Sequence, residues 1–232
     1  MNTALKNNLT LLASAIALLI APALRAQLIS FNVDLDTAGL SADSLNAPFY
    51  LDFQLDYGNV ALATTTATLS DFQFTGGGAV GSTVTAGSAS GSIAGTVTLT
   101  ASAAHPSNEL YQQFASGVSN IQFTATITEP GPDVGIPTEF TVAILDDSLG
   151  FPAQLFTTAP DTESLVTLDL SSSNTLANVN TYAGVSSADG ATPLTGVGLM
   201  PSAPEPFTTA WCGAAAALLA CCTRRFGQRQ TI

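Results

Sequence analysis

Phe49-Tyr50-Leu51-Asp52-Phe53-Gln54-Leu55-Asp56-Tyr57 carries the plainest pattern in the chain. Phe49, Leu51, Phe53, Leu55 and Tyr57 occupy every second position, and Tyr50, Asp52, Gln54 and Asp56 fill the places between. Successive side chains of a strand point to opposite faces, so this period of two predicts a strand with one apolar and one wet face. Working outward, Ile29, Phe31, Val33 and Leu35 alternate with Ser30, Asn32, Asp34 and Asp36. Ile121, Phe123, Ala125 and Ile127 alternate with Gln122, Thr124, Thr126 and Thr128. Phe140, Val142 and Ile144 form another set, and Val166, Leu168 and Leu170 a last short one.

Several such strands at short spacing, with Gly, Pro, Asn and Asp between them, predict an all-β fold. The expected architecture is a single antiparallel β-sandwich, jelly-roll or immunoglobulin-like. Its core holds Phe31, Leu51, Phe53, Leu55, Phe123, Ile127, Phe140, Val142 and Ile144. Helix is confined to a turn or two around Asn108–Ala115, Asn-Glu-Leu-Tyr-Gln-Gln-Phe-Ala. Residues 76–104 are almost all Gly, Ala, Ser and Thr, and two readings stand. They form a flexible insertion, or a loop at Gly76–Gly81 followed by one or two small-residue strands through Ile93, Val97 and Leu99. Residues 171–203 read as a loosely ordered stalk, or a last edge strand followed by a linker. That leaves 27–170 for one sandwich domain.

Charge narrows the function. Only 9% of the 232 residues are charged, against roughly 25% in average globular proteins. The five bases are Lys6, Arg25, Arg224, Arg225 and Arg229, so residues 27–203 hold 16 acids and no Lys or Arg. Nucleic-acid binding by phosphate neutralisation is excluded, since it needs clustered bases. All three cysteines, Cys212, Cys221 and Cys222, lie near the C-terminus. The region before them therefore has no disulfide framework and no thiolate nucleophile or metal ligand.

The two ends point to export. Lys6 precedes the apolar run Leu9–Ala23, and Ala21-Pro22-Ala23 and Leu24-Arg25-Ala26 each end in a small residue. Residues 1–26 thus read as a signal peptide with a signal helix, cut by signal peptidase after Ala26 or at the earlier small-x-small site. A run of about 15 apolar residues is short for a spanning helix, which needs roughly 20. At the other end, Ser202-Ala203-Pro204-Glu205-Pro206 leads into an apolar stretch, Phe207 to Cys222, and then Thr223-Arg224-Arg225.

A Pro-Glu-Pro triplet, a short hydrophobic helix and a basic end, in that order, resemble the PEP-CTERM sorting signal of Gram-negative bacteria. The resemblance assigns 204–232 to the signal, with Pro204, Glu205, Pro206, Arg224 and Arg225 as the sorting and processing motif. It implies recognition by a membrane-embedded exosortase, transient residence in the inner membrane through the C-terminal helix, and processing near Pro204–Pro206. The processed product, about 27–203, would reach the cell envelope, the outer surface or the extracellular matrix. The physics suits the role: the prolines hold the backbone extended and free of hydrogen bonds, as a protease requires. Arg224 and Arg225 would keep the helix end at the cytoplasmic face. The Ala-rich run is marginal for spanning, and Phe226–Ile232 continues past the arginines. Asp36-Thr37-Ala38-Gly39-Leu40 followed by Phe49–Leu55 and Gly58-Asn59 is also similar to the opening of a recurring group of exported PEP-CTERM proteins. Ser70-Asp71-Phe72 and Leu145-Asp146-Asp147 fit that group, which carries no activity to transfer.

Catalytic motifs are scarce. His105, in Ala103-Ala104-His105-Pro106-Ser107, is the only histidine and sits in a turn-like context. No Gly-x-Ser-x-Gly elbow is present, and residues 27–203 offer no Lys as a base. A zinc site lacks ligands, and paired carboxylates for glycoside hydrolysis have only the abundance of acids behind them. The chain reads as a non-enzyme. Calcium is the candidate cofactor. If the first two strands pair, Asp34, Asp36, Asp52 and Asp56 crowd one surface with no base to offset them, and Ca²⁺ accepts carboxylate oxygens in flexible geometry. Two functions remain: a structural or matrix protein of the cell envelope, and a calcium-assisted, lectin-like module that binds extracellular polysaccharide. Exposed aromatics would favour the second, but Tyr50, Tyr111 and Tyr182 are the only candidates outside the expected core and the lone Trp211 lies near the C-terminus, a scarcity that favours the first.

Overall fold

A computed structural model describes residues 28–43, 46–58, 64–128, 138–147, 149–158, 163–170, 179–186 and 192–201. The alternating segments become strands at the expected places. β1 (Leu28–Asp36) is followed by a single 3₁₀ turn at Ala38–Ala42, then β2 (Tyr50–Asp56). Next come β3 (Thr65–Thr75), β4 (Ala79–Ala86), β5 (Ala89–Gly91), β6 (Val97–Ala101) and β7 (Ser107–Phe114). β8 (Asn120–Thr128), β9 (Glu139–Asp146), β10 (Ala153–Gln154), β11 (Val166–Asp169), β12 (Val179–Thr181) and β13 (Gly196–Pro201) complete the order.

The strands divide between two sheets. The first runs β13-β1-β8-β3-β6-β5 and the second β12-β11-β9-β2-β7-β4, with β10 also on β9. Within the first eight strands the pairs nest. β1 pairs β8, β2 pairs β7 and β3 pairs β6, all antiparallel, around the short link from β4 to β5. β3 with β8 and β4 with β7 complete the two sheets, again antiparallel.

One core serves both sheets. Phe31, Leu51, Phe53, Leu55, Ile127, Phe140, Val142 and Ile144 are fully buried and Phe123 nearly so, as the period of two requires. Phe53 of β2 meets Phe123 of β8 edge-on, ring centroids 5.4 Å apart, and Phe72 of β3 stacks on Phe123 at 5.2 Å. Fully burying such a ring is worth about 1.5–3 kcal/mol in removed apolar surface, and the aromatic trio ties the two sheets together.

Four local expectations change. Asn108–Ala115 is strand β7, not a turn of helix. Its inward positions are Asn108, Leu110, Gln112 and Phe114, all buried, and the two amides hid the alternation. The small-residue stretch holds three strands rather than one or two, and its loop shrinks to about Gly76–Gly78. Gln112 and Asn108 explain why. Gln112 Oε1 accepts from the Ser92 hydroxyl (2.8 Å), the Ile93 N–H (3.0 Å) and the Thr83 hydroxyl (3.2 Å), while its Nε2 donates to the Gly81 carbonyl. Asn108 Nδ2 donates to the Leu55 and His105 carbonyls, and its Oδ1 accepts from the Ser88 N–H. Buried amides thus replace the apolar packing that Gly, Ser and Thr cannot supply. Turns between these strands use glycine: Gly91 has φ +105°, and a Cβ there would strike the Thr96 carbonyl. β3 is a strand that the alternation did not single out. Finally, the described parts of 171–203 hold two edge strands, β12 and β13, one in each sheet, where the edge-strand reading allowed a single one.

The expected signal helix and C-terminal hydrophobic helix fall in 1–27 and 202–232, outside the described residues. Among the described residues no helix is long and apolar enough to cross a membrane.

Candidate functional site

Strand pairing separates the four candidate calcium ligands. Asp34 and Asp36 lie on β1 in the first sheet, and Asp52 and Asp56 on β2 in the second. β1 pairs with β8 and β2 with β7 and β9, so the β1–β2 pairing that would have crowded the carboxylates does not occur. The physical reason is the nested wrap, which sends β1 and β2 to opposite sheets. Asp36 Oδ1 accepts the Ala38 N–H at 3.0 Å and caps the turn after β1. Asp56 Oδ1 accepts the Ser107 hydroxyl at 2.7 Å. Among the described residues no group of three or more His, Cys, Asp and Glu gathers to hold a metal ion. His105 is exposed in the Ser102–His105 turn. Pro204, Glu205, Pro206, Arg224 and Arg225 lie outside the described residues.

Asp52 behaves unlike the other three. It sits between Tyr111 of β7 and Ala143 of β9 and is fully buried. Oδ2 accepts from Gln54 Nε2 at 2.7 Å, while Oδ1 has no hydrogen-bond partner. Burial drives its pKa up to about 7; the Gln54 donor pulls the other way, and the Glu109 charge adds to the rise. At neutral pH a large share of the molecules therefore carries it protonated. Nearby, Asp56, Glu139 and Asp169 fall in one cross-strand row. Burial, then Asp56 and Asp169, raise the pKa of Glu139, and burial, then Asp56, raise that of Glu109. The row is not legible in the sequence, because its members come from three separate strands, β2, β9 and β11.

A cleft of about 260 Å³ opens on the outer face of the first sheet. Its polar lining is Asn32 and Asp34 of β1, Gln122 and Thr124 of β8, and Asp71 and Gln73 of β3. Registration makes two rows: Gln73, Gln122 and Asp34 face one another across three strands, with Ser70, Thr124 and Asn32 beside them. Asp34 is held at both oxygens, Oδ1 accepting from Asn120 Nδ2 at 2.5 Å and Oδ2 from Gln122 Nε2 at 3.2 Å. The Thr124 hydroxyl and Asn32 Oδ1 are 3.0 Å apart. Between the rows β3 bulges: the register slips between Ser70 and Gln73, and Asp71 adopts φ +58°. Bulges re-aim side chains, and Asp tolerates this left-handed conformation better than most residues.

The sequence does carry a trace of that bulge. Ala67 and Leu69 face inward at odd positions, but Phe72 and Phe74 pack on the core from even ones. The apolar phase slips by one residue at Ser70-Asp71. The exposed aromatics also differ from expectation. Tyr50 and Tyr111 pack edge-on, centroids 5.8 Å apart, whereas Phe151 and Phe156 are exposed and were not singled out. Comparison with known proteins finds no matching family model, no similar curated protein and no similar solved structure.

Proposed function

We propose that the chain is an exported structural component of the cell envelope or extracellular matrix, delivered by a C-terminal sorting signal. The observation that carries this reading is the ordered set Pro204-Glu205-Pro206, the apolar run Phe207–Cys222 and Arg224-Arg225. Signal peptidase and an exosortase are the processing partners it implies, with transient contact to the inner membrane. The nested antiparallel pairings support the finer reading of the first eight strands as a jelly roll, in which each outer pair encloses the next. β9 and β11–β13 then extend its two sheets. A base-free, polar-faced sandwich suits a secreted surface protein: its outer strand faces carry Thr, Asn, Gln and Asp rather than ion pairs. Mass spectrometry of the protein from its native envelope tests the sorting signal. Peptides should stop near Phe207; recovery of a C-terminal peptide carrying Arg224 and Arg225 from the mature material overturns the reading.

A second reading, a carbohydrate-binding module, is favoured by the cleft on the first sheet. There carboxylates, amides and a hydroxyl converge without any basic group. Calcium assistance belongs to this reading, and paired measurements in CaCl₂ and EDTA test it.

A further inference from the structure

We propose that the cleft between β1, β3 and β8 binds a neutral saccharide unit directly through its hydroxyls, Asp34 being the principal acceptor. The proposal rests on the carbohydrate-binding reading and gives it a site and a ligand class. Three features carry it. The first is preorganisation. Asn120 and Gln122, both on β8, each donate to one oxygen of the Asp34 carboxylate, and each oxygen keeps a further lone pair for a ligand O–H. Hydrogen bonds from hydroxyls to an ionised acceptor are roughly twice as strong as neutral ones.

The second is the lining chemistry. A sugar hydroxyl donates and accepts at one atom, and the amides of Asn32, Gln73 and Gln122 each present an acceptor beside a donor. Such a set matches neighbouring hydroxyls of a ring. It repels anions, since residues 27–203 contain no Lys or Arg, so uronate, sulfate and phosphate groups are disfavoured. Met200 on the rim offers an apolar surface for the C–H side of a ring.

The third is the space itself. Gly198 of β13 faces Asp34, and a Cβ placed there would come within 3.6 Å of the Asp34 Cβ. That is ordinary van der Waals contact, so a side chain is sterically admissible beside the carboxylate. At about 260 Å³ the cleft is just below the roughly 300–1,000 Å³ of drug-sized sites, a size for one or two rings of a chain that continues into solvent.

The test titrates the full-length protein with cellobiose, maltose and a uronic-acid disaccharide, each in CaCl₂ and in EDTA, read by calorimetry and by the side-chain amide signals of Asn32, Gln73 and Gln122. Asp34→Ala, Gln73→Ala and Gly198→Leu probe the cleft; Gly198→Leu fills it without removing a polar group. Asp169→Asn, on the other sheet, controls for charge. Binding of a neutral disaccharide, weakened roughly tenfold or more by each cleft variant at unchanged melting temperature and untouched by Asp169→Asn, is the expected result. Neutral binding that survives all three variants removes the cleft and leaves the module reading standing. Binding that requires calcium, or prefers the uronic acid, overturns the direct-hydroxyl chemistry. Failure of every saccharide overturns the module reading together with the site.

Discussion

Asp34 and Asp52 are both outward residues of an early strand, one in each sheet, yet their surroundings are opposite. Asp34 lies on an open face, held by two amide donors. Asp52 is fully buried with one oxygen unpartnered, on a sheet whose strand β9 is buried on both faces from Phe140 to Asp146. The outer face of the first sheet is therefore a surface on which a ligand can be met, and the middle of the second sheet's outer face is a second interior. Alternation tells which residues leave the shared core. It does not tell what waits for them on the other side.

The largest effect expected concerns what the two sheets share. Phe53→Ala and Phe123→Ala remove rings in mutual contact from opposite sheets, and each should cost about 3–5 kcal/mol in chemical denaturation. Because the rings touch, the double variant should cost less than the sum of the two. Strict additivity would mean that the sheets do not depend on one another through these rings.

Next comes the contrast of the aspartates themselves. The folded-state pKa of Asp52 is raised, so its contribution is fully present below the unfolded value near 4 and is lost as pH rises through about 7. Glu109 and Glu139 are shifted in the same direction. Stability should therefore fall between pH 4 and pH 8. Asp52→Asn should flatten that slope and stabilise the fold at pH 8 by on the order of 2–4 kcal/mol. Asp34→Asn, on the open face, should change stability at pH 8 by less than Asp52→Asn does, and without stabilising the fold. Melting temperatures over this pH range decide the matter: an unchanged slope in Asp52→Asn would erase the special place of the buried carboxylate.

A smaller effect separates two glutamines in the same way. Gln112 is buried and joins β4 and the β5–β6 turn to β7, whereas Gln122 is exposed. Gln112→Ala should cost about 1–3 kcal/mol and speed amide exchange at Gly81, Ser92 and Ile93. Gln122→Ala should stay within about 0.5 kcal/mol. If exchange in the β4–β6 region is unchanged in Gln112→Ala, the small-residue strands hold themselves together by backbone pairing.

Smallest of all is the response to salt. The Asp56–Glu139–Asp169 row carries like charges on neighbouring strands, so added NaCl should raise the melting temperature modestly by screening. Asp169→Asn should reduce that rise, while Asp36→Asn on the first sheet should not. Equal salt responses would place the repulsion elsewhere.

Much of this architecture was readable before any coordinates, and the reasons are local. Phe31, Leu51, Phe53 and Val142 had to share an interior because a strand turns every second residue the same way. Residues 27–203 had to build their surface without ion pairs because they contain no base. Even the bulge at Ser70-Asp71 left its mark as a slipped apolar phase. Strand β7 is hidden in the sequence because Asn108 and Gln112 break the apolar pattern at inward positions. Such amides look like exposed residues until the groups they bond, on strands β4 to β6, are brought beside them. The four aspartates of β1 and β2 looked like one cluster because they are close in the chain. Pairing at long range, β1 with β8 and β2 with β7, sent them to different sheets. It also gathered Asp34, Gln122 and Gln73 into one cleft, and Asp56, Glu139 and Asp169 into one row. Local alternation depends only on the geometry of a single strand. Which strands become neighbours depends on how the whole core closes, and no window of sequence contains that.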